Sequence, residues 1–295
     1  MTVLVTGATG NVGSAVVREL SRRGVPVRAF VRDPLATLAE TVEIAIGDFE
    51  DPASIRAALL GVDRVFLSSG DGPRKVVHEA AVIDAAVDAE LIVKASTLAA
   101  QVGSPLAPLH WNGVSEEHLR RSGRPWVILA SGFYMTNVLA VAEPVRTQAV
   151  LPAPAGDGRI AMIDPRDVGA VAAAVLAGSG HEGHTYRLTG PAAISYPEVA
   201  AAIAAATGTD VRYVDVPPDV ARAGLVESGM PGWLVDHLDR IFGLIRAGAF
   251  DETTDSVRVL TGREPRTFEE FARDHADAFR PAMTTGRPGV SPAAH

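Results

Sequence analysis

Thr6-Gly7-Ala8-Thr9-Gly10-Asn11-Val12-Gly13 follows the apolar run Val3-Leu4-Val5 and leads into Ala15, Val16 and Leu20 at helical spacing. The pattern describes a short buried strand that turns on glycines into an amphipathic helix. Such a turn aims the unpaired N–H groups of the first helical turn, and the positive end of the helix dipole, at one point beyond the strand. A diphosphate fits there, and Gly7 and Gly10 are required because a Cβ would hold it off. Thr9, Asn11 and Val12 complete the expected contact segment. In a chain with 28 glycines the bare spacing arises by chance, so its weight comes from its place between strand and helix.

Working outward, strand-like runs at Val3–Thr6, Val27–Val31, Val42–Ile46, Arg64–Ser68, Leu91–Ala95 and Trp126–Ala130 alternate with helical patterns near 11–23, 35–41, 52–60, 74–89 and 113–122. Strand and helix in alternation require right-handed crossovers and a parallel sheet covered on both faces. The fold class read from this is α/β, a Rossmann-type doubly wound parallel sheet with a small, mostly helical C-terminal lobe. Residues 1–155 form the expected nucleotide-binding part, completed by portions of 156–216. Residues 217–280, with contributions from 133–150, form the expected substrate-covering lobe. Short strands are expected at Ile160–Ile163, Thr185–Thr189 and Val211–Val216, and helices at Asp167–Ala177, Ser195–Thr207, Trp233–Ala247 and Phe268–Phe279. Residues 281–295, rich in proline, glycine and small polar residues, are expected to be disordered.

Composition narrows the function. The chain has 295 residues, 47% apolar and 21% charged, as a globular protein with a sizeable core has. A formal charge of −8 argues against a nucleic-acid partner, and the absence of cysteine removes thiol nucleophiles and thiolate metal sites. No apolar run approaches the length of a membrane span, and no signal peptide is evident at the amino end, so a cytoplasmic protein is expected; two lysines against 25 arginines, with alanine abundant, point to a GC-rich bacterial genome. No metal site is expected, since His181 and His184 lack a third ligand. The expected partner is a small, flat, apolar molecule, with the protein a monomer or homodimer.

In a dinucleotide fold, an acid about 20 residues past the glycines accepts from a ribose 2′-hydroxyl, whereas an arginine there accommodates a 2′-phosphate. Arg32 stands nineteen residues after Gly13, in Val31-Arg32-Asp33-Pro34. NADPH is therefore the expected cofactor and NADH the lesser alternative, left open by Asp33. Asp48 and Phe49, ending the third strand, are placed beside adenine. Ser68, Ser69 and Gly70, after the fourth, border the nicotinamide-side ribose.

A Tyr-x-x-x-Lys pair, in which lysine lowers the pKa of a proton-donating tyrosine, is absent. The only lysines are Lys75 and Lys94, and positions 71 and 90 hold aspartate and glutamate. The proton donor must lie elsewhere. Tyr134, following Gly132-Phe133 at a strand end, is one candidate, with a pKa expected near 10 for want of a nearby lysine. His110, read as a loop residue, is another. Ser96 could bond a ribose or a substrate carbonyl, while Glu116 and Glu117 read as exposed helix charges. Phe133, Met135, Val138, Leu139, Leu225, Met230, Trp233, Leu234 and Leu238 could line a pocket for a flat aromatic.

Several ordered motifs now combine. These are the glycine turn, Phe30-Val31-Arg32-Asp33-Pro34, Gly47-Asp48-Phe49-Glu50-Asp51, Glu116–Gly123, Trp126-Val127-Ile128-Leu129, Gly132–Asn137, Ile163-Asp164-Pro165-Arg166-Asp167-Val168 and Leu260-Thr261-Gly262-Arg263-Glu264-Pro265. Together they resemble the NmrA-like group of atypical short-chain dehydrogenases, which includes NADPH-dependent quinone and azo reductases and redox-sensing regulators. The resemblance implies NADPH contacts from the glycine turn, from Arg32 and from Gly132 and Phe133 after the sixth strand. Two departures stand out. Leu129-Ala130-Ser131-Gly132 occupies the place of a common Leu-Arg-Pro-Gly, and Asn112 occupies that of a frequent histidine. The expected activity is hydride transfer from NADPH to a quinone- or carbonyl-type acceptor, including polyketide-like aromatics. The alternative is a non-catalytic NADP(H)-sensing regulator.

Overall fold

In the computed structural model, which describes residues 1–36 and 41–281, the strands are β1 (Val3–Thr6), β2 (Val27–Val31), β3 (Glu43–Ile46), β4 (Arg64–Leu67), β5 (Leu91–Thr97), β6 (Trp126–Ser131), β7 (Val150–Ala153), β8 (Arg159–Ile160), β9 (His184–Leu188), β10 (Ile194–Ser195) and β11 (Arg212–Asp215). Seven of them form one sheet in the order β3-β2-β1-β4-β5-β6-β9, every neighbouring pair parallel. Strand order reverses between β1 and β4, so the crevice at their carboxyl ends is where a ligand of a doubly wound sheet sits.

The helices are α1 (Asn11–Arg22), α2 (Pro52–Leu59), α3 (Lys75–Ala85), α4 (Ala107–Arg121), α5 (Ala142–Gln148), α6 (Pro165–Ala177), α7 (Tyr196–Thr207), α8 (Pro218–Glu227), α9 (Gly232–Arg246), α10 (Ser256–Thr261), α11 (Phe268–Asp274) and α12 (Ala276–Phe279), with a 3₁₀ helix at Met135–Val141. Alternation along the strands divides the core. Val3, Val5, Ala29, Val93 and Leu129 pack with α1 and α6 on one face. Leu4, Phe30, Ile92 and Ile128 pack with α2, α3 and α4 on the other. Both faces being covered explains why these strands read as unbroken apolar runs. Each fully buried Leu, Ile or Phe contributes about 1.5–3 kcal/mol.

A third apolar cluster joins residues of the expected lobe to residues between 151 and 211 that the sequence reading assigned to the sheet domain. It unites Met135, Val138 and Val145 with Leu151, Ile160 and Met162, Tyr196, Val199 and Ile203, and Ile241, Ile245, Phe268, Phe271 and Phe279. The small pairs β7–β11 and β8–β10 lie outside the main sheet. Two motif segments serve to fix the lobe to the sheet. Asp164 caps α6 by accepting from the Arg166 amide. Asp167, buried, accepts from the backbone and guanidinium of Arg266, just ahead of α11.

Several boundaries differ from the sequence reading. Pro108 lies in the first turn of α4, where a missing N–H costs nothing, so the helix begins at Ala107 and His110 is helical. The expected helix over Phe268–Phe279 is interrupted at His275, whose φ of −112° leaves the helical range. The strand expected over Ile160–Ile163 shortens to Arg159–Ile160. Helices α8 and α10 were not expected. Most of the helix expected over 35–41, and nearly all of the tail expected over 281–295, lie outside the described residues. No described helix is long and apolar enough to cross a membrane.

Candidate active site

The glycine turn builds a cradle that side chains would fill. Gly7 has a φ of +60°, and a Cβ there would stand 2.9 Å from the Ser68 carbonyl oxygen. At Gly13 a Cβ would stand 2.1 Å from the Gly7 oxygen, so α1 can rest on its own turn only as glycine. Gly10 is the N-cap residue of α1; no side chain caps this end and no acid occupies its first turn. The donors of that turn therefore face the crevice with no internal competitor, as a diphosphate requires. Val12 is buried beneath them, while Thr9 and Asn11 are exposed at the rim. Asn11 Nδ2 donates to Thr136 Oγ1 at 3.4 Å, joining the turn to the 3₁₀ helix. Thr6 Oγ1, buried at the end of β1, donates to the Ser68 oxygen and accepts from its amide, fixing β4 against the turn.

Arg32 directly follows β2 as an exposed side chain, and no carboxylate pairs with it among the described residues. Asp33 Oδ1 instead accepts from the Leu35 amide at 2.8 Å and turns its own chain. The cation is presented and the acid is engaged, the arrangement that suits a 2′-phosphate. Asp48 Oδ1 accepts from the Glu50 amide. The Phe49 ring meets Phe30 edge-on at 5.5 Å and stacks on His78 at 5.4 Å, so a flat aromatic wall stands just beyond β3. The Glu50 carboxylate is held down at about 2 by Arg74 and His78, which anchor it beside this wall.

At the other end the structure assembles a group that sequence spacing conceals. Both lysines of the chain converge on Glu79, which is fully buried on α3. Lys75 Nζ lies 2.9 Å from Glu79 Oε1, and Lys94 Nζ lies 3.1 Å from Oε2. Lys94 also donates to the Ala95 oxygen and to Asn112 Oδ1, each at 2.9 Å. Asn112, a departure from the resemblance noted above, thus stands as the ammonium's partner. Ser69 Oγ donates to Glu79, and Lys75 reaches Asp71, at 3.4 Å, and the Ser69 oxygen. Burial opposes the charge on Glu79, but Lys94 and Lys75 outweigh it and hold the carboxyl near 2. Burial, joined by Lys75, draws Lys94 below its ordinary value against the pull of Glu79. Gly70 remains open, with nothing near its Cβ position.

The candidate donors separate in this frame. Ser96 Oγ donates to Glu116 Oε1 at 2.5 Å, and Glu116 Oε2 accepts from Arg120. Glu116 is buried; the expectation of an exposed charge is corrected, since it closes a polar link between β5 and α4. Glu117, half exposed, pairs with Arg121. His110 Nδ1 accepts from the Gly103 amide at 2.9 Å, so it braces the loop before α4.

Tyr134 follows the half-buried Gly132 and Phe133, with Gly132 tied to the Leu188 oxygen and Phe133 packed on the lobe core. Burial pushes the Tyr134 phenol above its ordinary value, the Ser131 hydroxyl opposing, Asp71 adding to it and Lys75 opposing. The expected value near 10 is thus corrected upward. The stated absence of a nearby lysine is corrected too: Lys75, far away in sequence, acts on this phenol through space.

Met135 and Val138, expected to line a pocket, are fully buried in the lobe core. Trp233 at the start of α9 meets Trp111 of α4 edge-on at 5.1 Å and holds the lobe over the strand ends. His181 Nδ1 bonds the Tyr186 hydroxyl, and no cluster of three metal-ligating side chains occurs among the described residues. A charged hollow elsewhere on the lobe has its arginines, Arg159 and Arg246, already paired with Glu198 and Asp215.

Comparison with known proteins agrees with this geometry. The profile of the NmrA-like family matches residues 1–272. An NAD(P)H azoreductase of Xenophilus azovorans is 38% identical over 282 residues, covering 94% of this chain and 99% of that one. A (4-alkanoyl-5-oxo-2,5-dihydrofuran-3-yl)methyl phosphate reductase of Streptomyces griseus is 36% identical, covering 95% and 99%. Among solved structures, the NADPH-dependent quinone oxidoreductase of Escherichia coli complexed with NADPH superimposes with a TM-score of 0.82 at 30% identity, covering 93% and 99%.

Proposed function

The chain belongs to the NmrA-like family, and from that premise we propose that it is an NADPH-dependent oxidoreductase reducing a flat quinone- or carbonyl-type acceptor. The observation that carries this is the uncapped, acid-free amino end of α1 over a glycine cradle, with Arg32 at the far end of the same crevice. The residues fit the cofactor: Gly7, Gly10 and the first-turn amides of α1 would hold the diphosphate, Arg32 the 2′-phosphate, and Phe49 the adenine. When bound, NADPH supplies the hydride.

The chain's own contribution is positioning and proton supply. Trp111, Trp233, Leu109, Phe133 and Leu139 give the crevice an apolar roof that orients a flat ring and excludes water. The Tyr134 phenol, protonated through the neutral range because burial disfavours phenolate, offers a hydrogen bond to the acceptor's oxygen. Lys75, held in place by Glu79, keeps a positive charge near the position where negative charge develops on that oxygen. Ser69 and Ser96, both turned towards buried carboxylates, position the strand ends.

Absorbance at 340 nm, followed with NADPH and a panel of quinones, aromatic carbonyls and azo dyes, tests the reading. Acceptor-dependent oxidation above the rate without protein supports it. Saturable binding with no turnover across the panel defeats it and leaves a nucleotide sensor.

A further inference from the structure

His237 lies on α9, one helical turn beyond Trp233, whose ring packs on Trp111. It shares the helix face of Leu234 and Ile241, directed at the body of the protein. Its Nδ1 is buried and has no hydrogen-bond partner. A buried polar nitrogen left unpaired carries a desolvation cost, which a fold tolerates where something else meets that atom. Asp71, in the β4–α3 loop that also carries Ser69 and Gly70, acts on His237 through space, and the same carboxylate acts on Tyr134. Asp71, whose carboxylate lies 3.4 Å from Lys75 Nζ, is thus close enough to act on both His237 of α9 and Tyr134 after β6. Arg222 of α8 is occupied with Asp236 and Asp239, the acids nearest to His237 on its own helix. Burial draws the imidazole below its ordinary value against the pull of Asp71, so near neutral pH it is an uncharged group with one N–H and one lone pair.

We propose that His237 is a substrate-contacting residue delivered by the lobe, its free imidazole nitrogen forming a hydrogen bond with a polar atom of the acceptor opposite Tyr134. The proposal rests on the reductase reading for the identity of the acceptor, and on the unpaired nitrogen for the contact itself. It also gives the lobe a part in recognition, since α9 brings the aromatic roof and the polar contact on adjacent turns of one helix.

His237→Phe keeps a ring against Trp233 and removes both nitrogens; His237→Gln keeps a hydrogen-bonding group of similar reach. Melting temperatures and NADPH dissociation constants of both variants are expected to match the parent. With a quinone acceptor, kcat/KM is expected to fall at least about tenfold in His237→Phe and to recover in part in His237→Gln. A hydroquinone titrated into protein saturated with NADP⁺ gives a readout independent of turnover, and should bind at least about tenfold more weakly to His237→Phe.

Parent-like kcat/KM and hydroquinone affinity in His237→Phe would overturn the proposal while leaving the reductase reading intact. Lost hydroquinone binding in His237→Phe, beside a parent that fails to oxidise NADPH with any acceptor of the panel, would keep the contact and overturn the reductase reading. A parent that neither turns over nor binds hydroquinone overturns both.

Discussion

Replacing Glu79 with glutamine removes the only carboxylate that lies between two buried ammonium groups. In the folded protein this carboxyl is held near 2 instead of its ordinary 4.5, because Lys94 and Lys75 outweigh the cost of burial. At about 1.4 kcal/mol per tenfold change, that difference corresponds to about 3 kcal/mol of stability at neutral pH. The figure agrees with the roughly 3–5 kcal/mol lost when one member of a buried ion pair is deleted and the other charge is stranded. Here Lys75 keeps its contact with Asp71, so the stranded charge is that of Lys94, which is fully buried. For a chain of this size the expected fall in melting temperature is about 6–12 °C. The folded pKa is depressed, so this contribution is present above about 4.5 and disappears as pH falls towards 2. The difference between parent and Glu79→Gln should therefore narrow over that range. Adding Lys94→Met to Glu79→Gln removes the stranded charge and should recover part of the loss. Calorimetric melts at pH 7 and pH 3 are the assay. A Glu79→Gln protein melting within about 2 °C of the parent at pH 7 would refute the reasoning.

Other outcomes follow from the same geometry. Arg32→Ala should weaken NADPH binding about 10–100-fold and leave NADH unchanged, as calorimetry would show; equal losses for both would remove Arg32 from the 2′-phosphate. Gly13→Ala puts a Cβ 2.1 Å from the Gly7 oxygen, so α1 must shift and NADPH affinity should fall; an unchanged affinity would show that the turn is not the cradle. Tyr134→Phe should lower kcat at least about tenfold with little change in NADPH affinity. A parent-like kcat would take the phenol out of the reaction.

The first 130 residues were legible because their signals are local. Apolar runs broken by Asp51-Pro52 or by the glycine turn specify strand, cap and helix within a few residues. Arg32 and Asp33 were legible as a choice; the structure adds that Asp33 accepts from the Leu35 amide, which supports Arg32 as the residue proposed for the 2′-phosphate. The lysine array was not legible. Glu79 meets Lys75 one helical turn away but Lys94 only through the packing of α3 on β5, and a search for Tyr-x-x-x-Lys tests spacing where the sheet supplies proximity. Glu116 was misread for a related reason: its i,i+4 partner Arg120 has the signature of a solvated pair, while its burial under Ser96 depends on how α4 lies on the sheet. His237 carried no signal at all. Its significance lies in the lack of a partner, which only the packed lobe reveals. Helix α8 escaped notice because none of its side chains is fully buried, so its apolar pattern is weak.

The account depends on nucleotide recognition by the α1 turn and Arg32 together. Titration of the intact protein with NADPH and with NADH, side by side at one ionic strength, measures that directly. Saturable binding of NADPH, at least about tenfold tighter than NADH, is the predicted result. Absence of binding to either coenzyme, or equal affinity for the two, would contradict it.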